Sequence, residues 1–371
     1  MDQKRAVIFL TASPDPEQRE PLMLKDILFC PILTWVARKL KGDGVERFFV
    51  VCGAEDTEKA RACFSPEADV ELSDAHPALL DFVSGAERVI VVPRPVIPAS
   101  RAGEGYVYSA DGSALAEGWK SAATIFLQNV DGEKGWIALN SDEDIQNVEP
   151  HLRDEVARRH LAGGVRMLDP TAVYIDPRVE IGRGSFLLPG TILRGNTVIG
   201  RDCVIGPNSV VRDCTVGDGT EVNASQIFES SVGSGTHVGP FAYVRPGSAI
   251  GDGVKVGDFV EVKNSVIGDG TKISHLTYVG DSDVGRRVNF GCGTVTTNYD
   301  GFHKYRCTIG DDSFIGCNTN LVAPVSVGKG SYIAAGATIT KDVPDDALAV
   351  ARVRQENKGG WAARRRKMNG K

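Results

Sequence analysis

The sequence has no apolar run approaching the roughly 20 residues that a helix needs to cross a bilayer. Its opening, MDQKRAVIFLTASPDP, lacks the layout of a signal peptide. Eight cysteines are scattered with no CxxC pair among them, and a chain this long needs no disulfide staples. Reduced thiols and a cytoplasmic location are therefore expected. Only six histidines are present, which limits metal clusters. P-loop, nucleophile-elbow and Rossmann glycine fingerprints are all missing, and the glycine pairs in GDGVKVG and GDGTKI are weak evidence for a phosphate loop. The net charge of −6 gives no general pull toward nucleic acid or an anionic membrane. The short basic end ARRRKMNGK (363–371) is the exception and reads first as a solvated, frayed terminus.

What is abundant is glycine, 42 residues concentrated after position 180, and a strict apolar period. Ile181, Leu187, Leu193, Ile199, Ile205 and Val211 lie six apart. The column resumes at Val232, Val238, Val244, Ile250, Val256 and Val262, and again at Ile309, Ile315, Leu321, Val327, Ile333 and Ile339. A step of six turns about 240° around a helix, so no helical stripe results. Strand alternation alone would not single out every third apolar site. A six-residue period with interleaved Gly, Asp and Asn is the mark of a parallel β-helix. Its flat sides favour packing against copies of itself in closed cyclic symmetry. The register slips between Val211 and Val232, and the hexad is abandoned between Phe290 and Ile309, where TVTTNYDGFHKYRCT is expected to leave the solenoid as a functional loop.

Residues 1 to about 160 follow α/β logic. AVIFL (6–10), FFVVCG (48–53) and VIVV (89–92) read as buried parallel strands, with ATIFLQNV (123–130) and GWIAL (135–139) as further strands. Helical spacing runs from Leu24 through Leu40, interrupted by Pro31. The segment 141–164 reads as a helix, acidic early, arginine-rich late and ended by Gly163 and Gly164. The expected division is an α/β domain over 1–140, an interdomain helix over 141–168, the β-helix over 169–343 and a tail over 344–371.

Few polar residues in the repeat region are explained by stacking. Arg245 in VRPGS and Lys263 in VEVKNS lie 18 apart, one coil above the other on one face. They form either an anion site suited to phosphate or a surface ladder of solvated charges, and spacing alone does not decide. His275 follows two hexads later and reads as a general base near that site or as a structural interface histidine. His237, His275 and His303 could supply a zinc site only by converging at a subunit interface, since their spacing fits no regular coil.

The motifs RPGS, VEVKNS, HLTYVGD, NFGCGTVTTNYDG, FIGCNTNLVAPV, AAGATIT and ALAVARVRQENKGGW resemble the acetyltransferase half of the bacterial bifunctional N-acetylglucosamine-1-phosphate uridyltransferase/glucosamine-1-phosphate N-acetyltransferase family. The resemblance is near-continuous from about Phe241 to Trp361 and extends more weakly back to about Leu139. It implies a left-handed β-helix, a trimer, acetyl-CoA as co-substrate and a site between subunits. It implies that Arg245 and Lys263 hold the sugar phosphate, with Tyr278 and Asn289 lining the sugar site and Lys304 on the extruded loop. His275 matches the base that deprotonates the amine, and Asn298 and Tyr299 match residues at the transfer centre. Cys292, Cys317, Ala335 and Arg352 match positions along the acetyl-CoA groove, and Trp361 matches a tail residue that completes a neighbouring subunit's site.

The front half departs from that family. FLTASPDPEQREP (9–21) has no glycine where the uridyltransferase carries a glycine-rich phosphate loop. VVPRPVIPAS (91–100) has no carboxylate where a metal-binding Asp is expected, and Asn140 alone will not hold Mg²⁺. The expectation is a nucleotidyltransferase-like, degenerate Rossmann-like domain that has lost nucleotide transfer, with uridylyl transfer performed by a separate protein. Two other readings are an intact bifunctional enzyme and a non-catalytic scaffold or regulatory relative.

Overall fold

The computed structural model describes residues 4–10, 20–99, 106–120 and 131–370. They fall into two compact units, Met1–Thr197 and Val198–Lys371. In the first unit, the apolar runs seen in the sequence form adjacent strands of a six-stranded sheet. Arg5–Phe9 lies between Arg47–Val51 and Val89–Val92 and is parallel to both. Asp69–Leu72 adds a parallel edge, while Val107–Ala110 and Asp131–Glu133 continue the other side antiparallel. Val7, Phe49, Leu79, Phe82, Val83 and Val89 form a packed core between this sheet and the helices His76–Val83 and Gly112–Lys120. The expected strand at 135–139 is present as Trp136–Ala138, paired with Val96–Pro98, and the one expected at 123–130 lies outside the described residues.

The helix expected from Leu24 is shorter than its spacing suggested. It spans Ile32–Gly42, because Pro31 can precede a helix but cannot donate inside one. Residues 26–31 instead close a tight antiparallel turn, with Leu28 and Phe29 at positive φ, and Ile27, Leu28 and Cys30 are buried by this different backbone route. The helix Asp142–Ala162 matches its sequence reading. Ser141 accepts a hydrogen bond from the Asp144 amide at 3.3 Å, three acids open the first turn, and Gly163 and Gly164 terminate it. Short strands from Arg166–Met167 to Ile192–Arg194 then begin the repeat.

The second unit is a left-handed parallel β-helix, its strands falling in turn on three parallel sheets. Apart from half-buried Ile181, every residue named in the three six-residue columns is at most 4% exposed. The slip after Val211 is absorbed by tighter corners. Val211 pairs with Ile227 and Val216 with Val232, so the interior column is preserved while the coil shortens. Buried hydroxyls bind successive coils together at the inner corners. Thr236 Oγ1, for example, donates to the Gly251 carbonyl at 2.8 Å and accepts from the Val254 amide at 3.1 Å.

Val295–Thr297 remains in the stack, paired with Asn320–Val322, so the interruption is confined to 298–306. Toward the chain end, Trp361–Met368 form a helix with every residue exposed, as a solvated segment would be.

Candidate active site

His275 closes the strand Lys272–His275, and its ladder partner one coil earlier is Asp258. That register places His275 Nδ1 2.6 Å from Asp258 Oδ1, a spacing of 17 residues along the chain. The hydrogen bond from the imidazole holds the Asp258 carboxyl below its usual range. A neutral ring with its proton on Nδ1, facing this carboxylate, presents Nε2 as a lone pair. Backbone packing enforces the geometry. A Cβ on Gly257 would sit 2.0 Å from the Ser274 carbonyl oxygen, so only glycine lets these two coils close here.

Two residues after each interior apolar residue, the same corner recurs on every coil. The register Val256, Ile273, Phe290, Ile315 and Ile333 therefore places Asp258, His275, Cys292, Cys317 and Ala335 in one column. Backbone bonds confirm the stacking, with Asn318 N donating to Cys292 O and Gly336 N to Cys317 O, each at 2.8 Å. Side chains shrink along the column beyond His275. Arg352 lies at its far end, its Cδ 3.7 Å from where a Cβ of Gly336 would be.

A second cluster forms on the next face around Asp281, which is 5% exposed. Lys263 Nζ lies 3.6 Å from Asp281 Oδ2, and Asn264 Nδ2 donates to Asp281 Oδ1 at 2.5 Å. Asn298 Nδ2 donates to Asp281 Oδ2 and lies 3.4 Å from the Tyr278 hydroxyl. Burial alone would raise the Asp281 carboxyl. The two amides and the charges of Lys263 and Lys304 outweigh it and hold the group low. Tyr278 reaches this cluster because its ring lies over Gly280, where a Cβ would be 2.2 Å from the hydroxyl.

Arg245 and Lys263 stack on neighbouring coils as their spacing implied, through the register Val244 with Val262. Neither is a bare cation. Arg245 Nη1 binds Glu261 Oε1 at 2.8 Å, and Lys263 faces Asp281. An arriving anion would therefore exchange with carboxylates at this face.

The extruded loop 298–306 is a small hairpin. Tyr299 bridges Lys304, Asp300 Oδ1 accepts from the Phe302 and His303 amides, and Tyr305 N donates to Asn298 O at 2.9 Å. Arg306 secures its end on Asp283 at 2.5 Å and on the Asn264 carbonyl at 3.0 Å.

Asn289 is not brought to Tyr278 within one chain. It pairs with Lys272 and Phe314 on a different sheet. Trp361 sits on the exposed terminal helix and is itself exposed. Among these residues no group of three His, Cys, Asp or Glu side chains could hold a metal ion. His237 faces Glu221 at 3.7 Å and His275 faces Asp258, so the histidine triad does not form within the chain. In the first unit, the Asn140 side-chain oxygen accepts from the Arg94 guanidinium and its backbone amide donates to Asp144 at 2.7 Å.

The sequence reading missed Asp258, Glu261, Asn264 and Asp281. The signal was a spacing of 17, one coil at this point, which links Asp258 to His275, Asn264 to Asp281 and Asp281 to Asn298.

The bacterial transferase hexapeptide (six repeats) family matches residues 178–213, 229–264 and 306–341. Among curated relatives, the bifunctional protein GlmU of Alkaliphilus oremlandii is 56% identical over 229 residues, 62% of this chain and 50% of that protein. GlmU of Geobacillus sp. is 50% identical over 62% of this chain and 50% of its own length. GlmU of Caldanaerobacter subterraneus is 49% identical over 68% of this chain and 57% of its own. This chain therefore spans about half the length of the curated relatives it matches. An Arabidopsis UDP-N-acetylglucosamine acyltransferase of known structure aligns over 56% of this chain and 72% of its own, at 21% identity and a TM-score of 0.37.

Proposed function

We propose that this relative of the GlmU proteins is an acetyl-CoA-dependent N-acetyltransferase that converts glucosamine-1-phosphate to N-acetylglucosamine-1-phosphate. The observation that carries the reading is the corner column. An oriented imidazole stands at its head, small residues Cys292, Cys317 and Ala335 follow, and Arg352 lies at its end. An extended thioester laid along that column would present its carbonyl to the base. The cations Arg245 and Lys263, one corner further on, supply the charge for a sugar phosphate, with Tyr278 beside it.

In this mechanism His275 Nε2 takes a proton as the neutral amine attacks the thioester carbonyl. Asp258 fixes the ring and offsets the charge of the imidazolium. The new C–N bond gives a tetrahedral oxyanion, which requires a hydrogen-bond donor beside the column. Collapse breaks the C–S bond, and the departing thiolate receives the proton from His275. No acyl-enzyme forms. Tyr299 and Lys304 flank the transfer centre on the loop hairpin.

The active assembly in this reading is a homotrimer. Asn289 and Trp361, which stand apart from the cluster within one chain, would join a neighbour's site. The first unit keeps an α/β sheet, and its sequence has no glycine over 9–21 and no carboxylate over 91–100. Its Asn140 engages Arg94, so no uridylyl transfer is expected and a separate uridyltransferase would consume the product, toward cell-envelope precursors. Mass spectrometry of the purified chain with acetyl-CoA and glucosamine-1-phosphate should show one added acetyl group on the amine, in a wild-type but not a His275→Ala reaction. UDP-N-acetylglucosamine formed from UTP by the same chain would restore the bifunctional reading. Equal acetylation by His275→Ala would favour a scaffold over a catalyst.

A further inference from the structure

Within the first unit, a cavity of about 310 Å³ opens between the helix Ile32–Gly42, the strand Arg47–Val51 and the turn after Thr57–Ala62. Ala37, Phe48 and Phe64 line its apolar side, the two aromatic rings 5.2 Å apart and tilted by 58°. Arg38, Lys41 and Arg178 line its polar side, and no carboxylate does. Arg178 is committed to Asp176, through Nη2 to Oδ2 at 2.7 Å and Nε to Oδ1 at 2.9 Å. Arg38 and Lys41 differ. Three residues apart, they share a helix face, and among the described residues neither has an ion-pair or hydrogen-bond partner.

The same Arg38 also lines a neighbouring cavity with Arg159, Asp43 and Glu155, the Arg159 Nη2 being tied to the Pro177 carbonyl at 3.0 Å. Burial, and then the charge of Arg38, hold the Arg159 guanidinium below its ordinary range. Arg38 and Lys41 thus face a concavity with an aromatic wall. Solvated surface charges need no such wall, and a pocket of this size is in the range that holds small molecules.

We propose that this cavity is a ligand site for a small organic anion, its flat apolar body against Phe64 and its phosphate-type group held by Arg38 and Lys41. None of the residues assigned to acetyl transfer takes part, so this site and the acetyltransferase reading stand or fall separately.

Phenyl phosphate has both required parts and serves as the probe. Titrated calorimetrically into the full chain, it should bind saturably with one site per chain, and inorganic phosphate should bind at least about tenfold more weakly. Arg38→Gln and Lys41→Gln should each weaken phenyl phosphate about tenfold, the size of one charge-assisted hydrogen bond. Both side chains are exposed, so these variants should keep the wild-type unfolding midpoint and full acetyl transfer. Arg245→Gln should leave phenyl phosphate binding unchanged. The proposal is overturned by absence of saturable binding at millimolar probe, by equal affinity for inorganic phosphate, by unchanged affinity in both helix variants, or by loss of binding in Arg245→Gln.

Discussion

Replacing Asp258 by Asn tests whether the His275 pair does chemistry or only decorates a corner. The substitution keeps the shape and one acceptor oxygen, so the 2.6 Å contact to Nδ1 can persist, but the negative charge is gone. The amide can also turn its NH₂ toward the ring, which stabilises the opposite tautomer and places the proton on Nε2, where the base needs a lone pair. Both side chains are partly open to water, at 55% and 38% exposure, so solvent screens the charge and the effect falls short of a fully buried relay. General-base catalysis itself contributes about 10²–10⁴-fold, which sets the loss for His275→Ala. The orienting partner should cost about 10–100-fold, the usual range for a residue acting through another. The assay is thiol release from acetyl-CoA under saturating sugar phosphate. The loss should lie in kcat with KM little changed, because the pair touches the reacting proton and not the phosphate. Wild-type kcat in Asp258→Asn, with the fold intact by circular dichroism, would show that the pair has no part in the proton transfer.

Other expectations follow from the same contacts. Asp281→Asn should destabilise the chain by about 1–3 kcal/mol in urea unfolding, because donors from Asn264, Asn298 and Lys263 converge on this buried carboxylate. It should also raise KM for the sugar phosphate. Since the folded protein holds Asp281 low, its stabilisation is present above the unfolded carboxyl value of about 3.9 and fades as pH falls through the folded value. The gap in unfolding midpoint between wild type and Asp281→Asn should accordingly narrow under acid; a gap independent of pH would contradict the assignment. Gly257→Ala should lower both the melting temperature and kcat, because its Cβ meets the fixed Ser274 backbone at 2.0 Å and forces apart the coils that carry Asp258 and His275. Melting and activity equal to wild type would show that this corner is more compliant than its packing implies.

The solenoid was legible because a three-sided coil allows one apolar residue per side, and a slip expels a whole column. That constraint writes itself into the sequence at Leu187, Val244 and Ile315 alike. Arg245, Lys263 and His275 were legible because stacking gives them no reason to be there. Asp258 and Asp281 were not. Acids are common at solenoid corners, and these two are distinguished only by a partner one coil away, at a spacing of 17 that breaks the hexad count. The helix expected from Leu24 failed for a related reason. Apolar residues at 27 and 28 fit a helical face, but their burial is achieved by a turn at positive φ, and Pro31 begins the helix where the spacing only registered an interruption.

The central claim is that the imidazole at the head of the corner column moves the acetyl group to an amine. Its most direct measurement is the rate of thiol release by wild type and His275→Ala, with acetyl-CoA and a panel of amino-sugar phosphates that includes glucosamine-1-phosphate. Turnover should depend on the amine, with glucosamine-1-phosphate the best substrate, and should drop about 10²–10⁴-fold on removing the imidazole. Absence of turnover on every member of the panel, or an unchanged rate in His275→Ala, would contradict that claim.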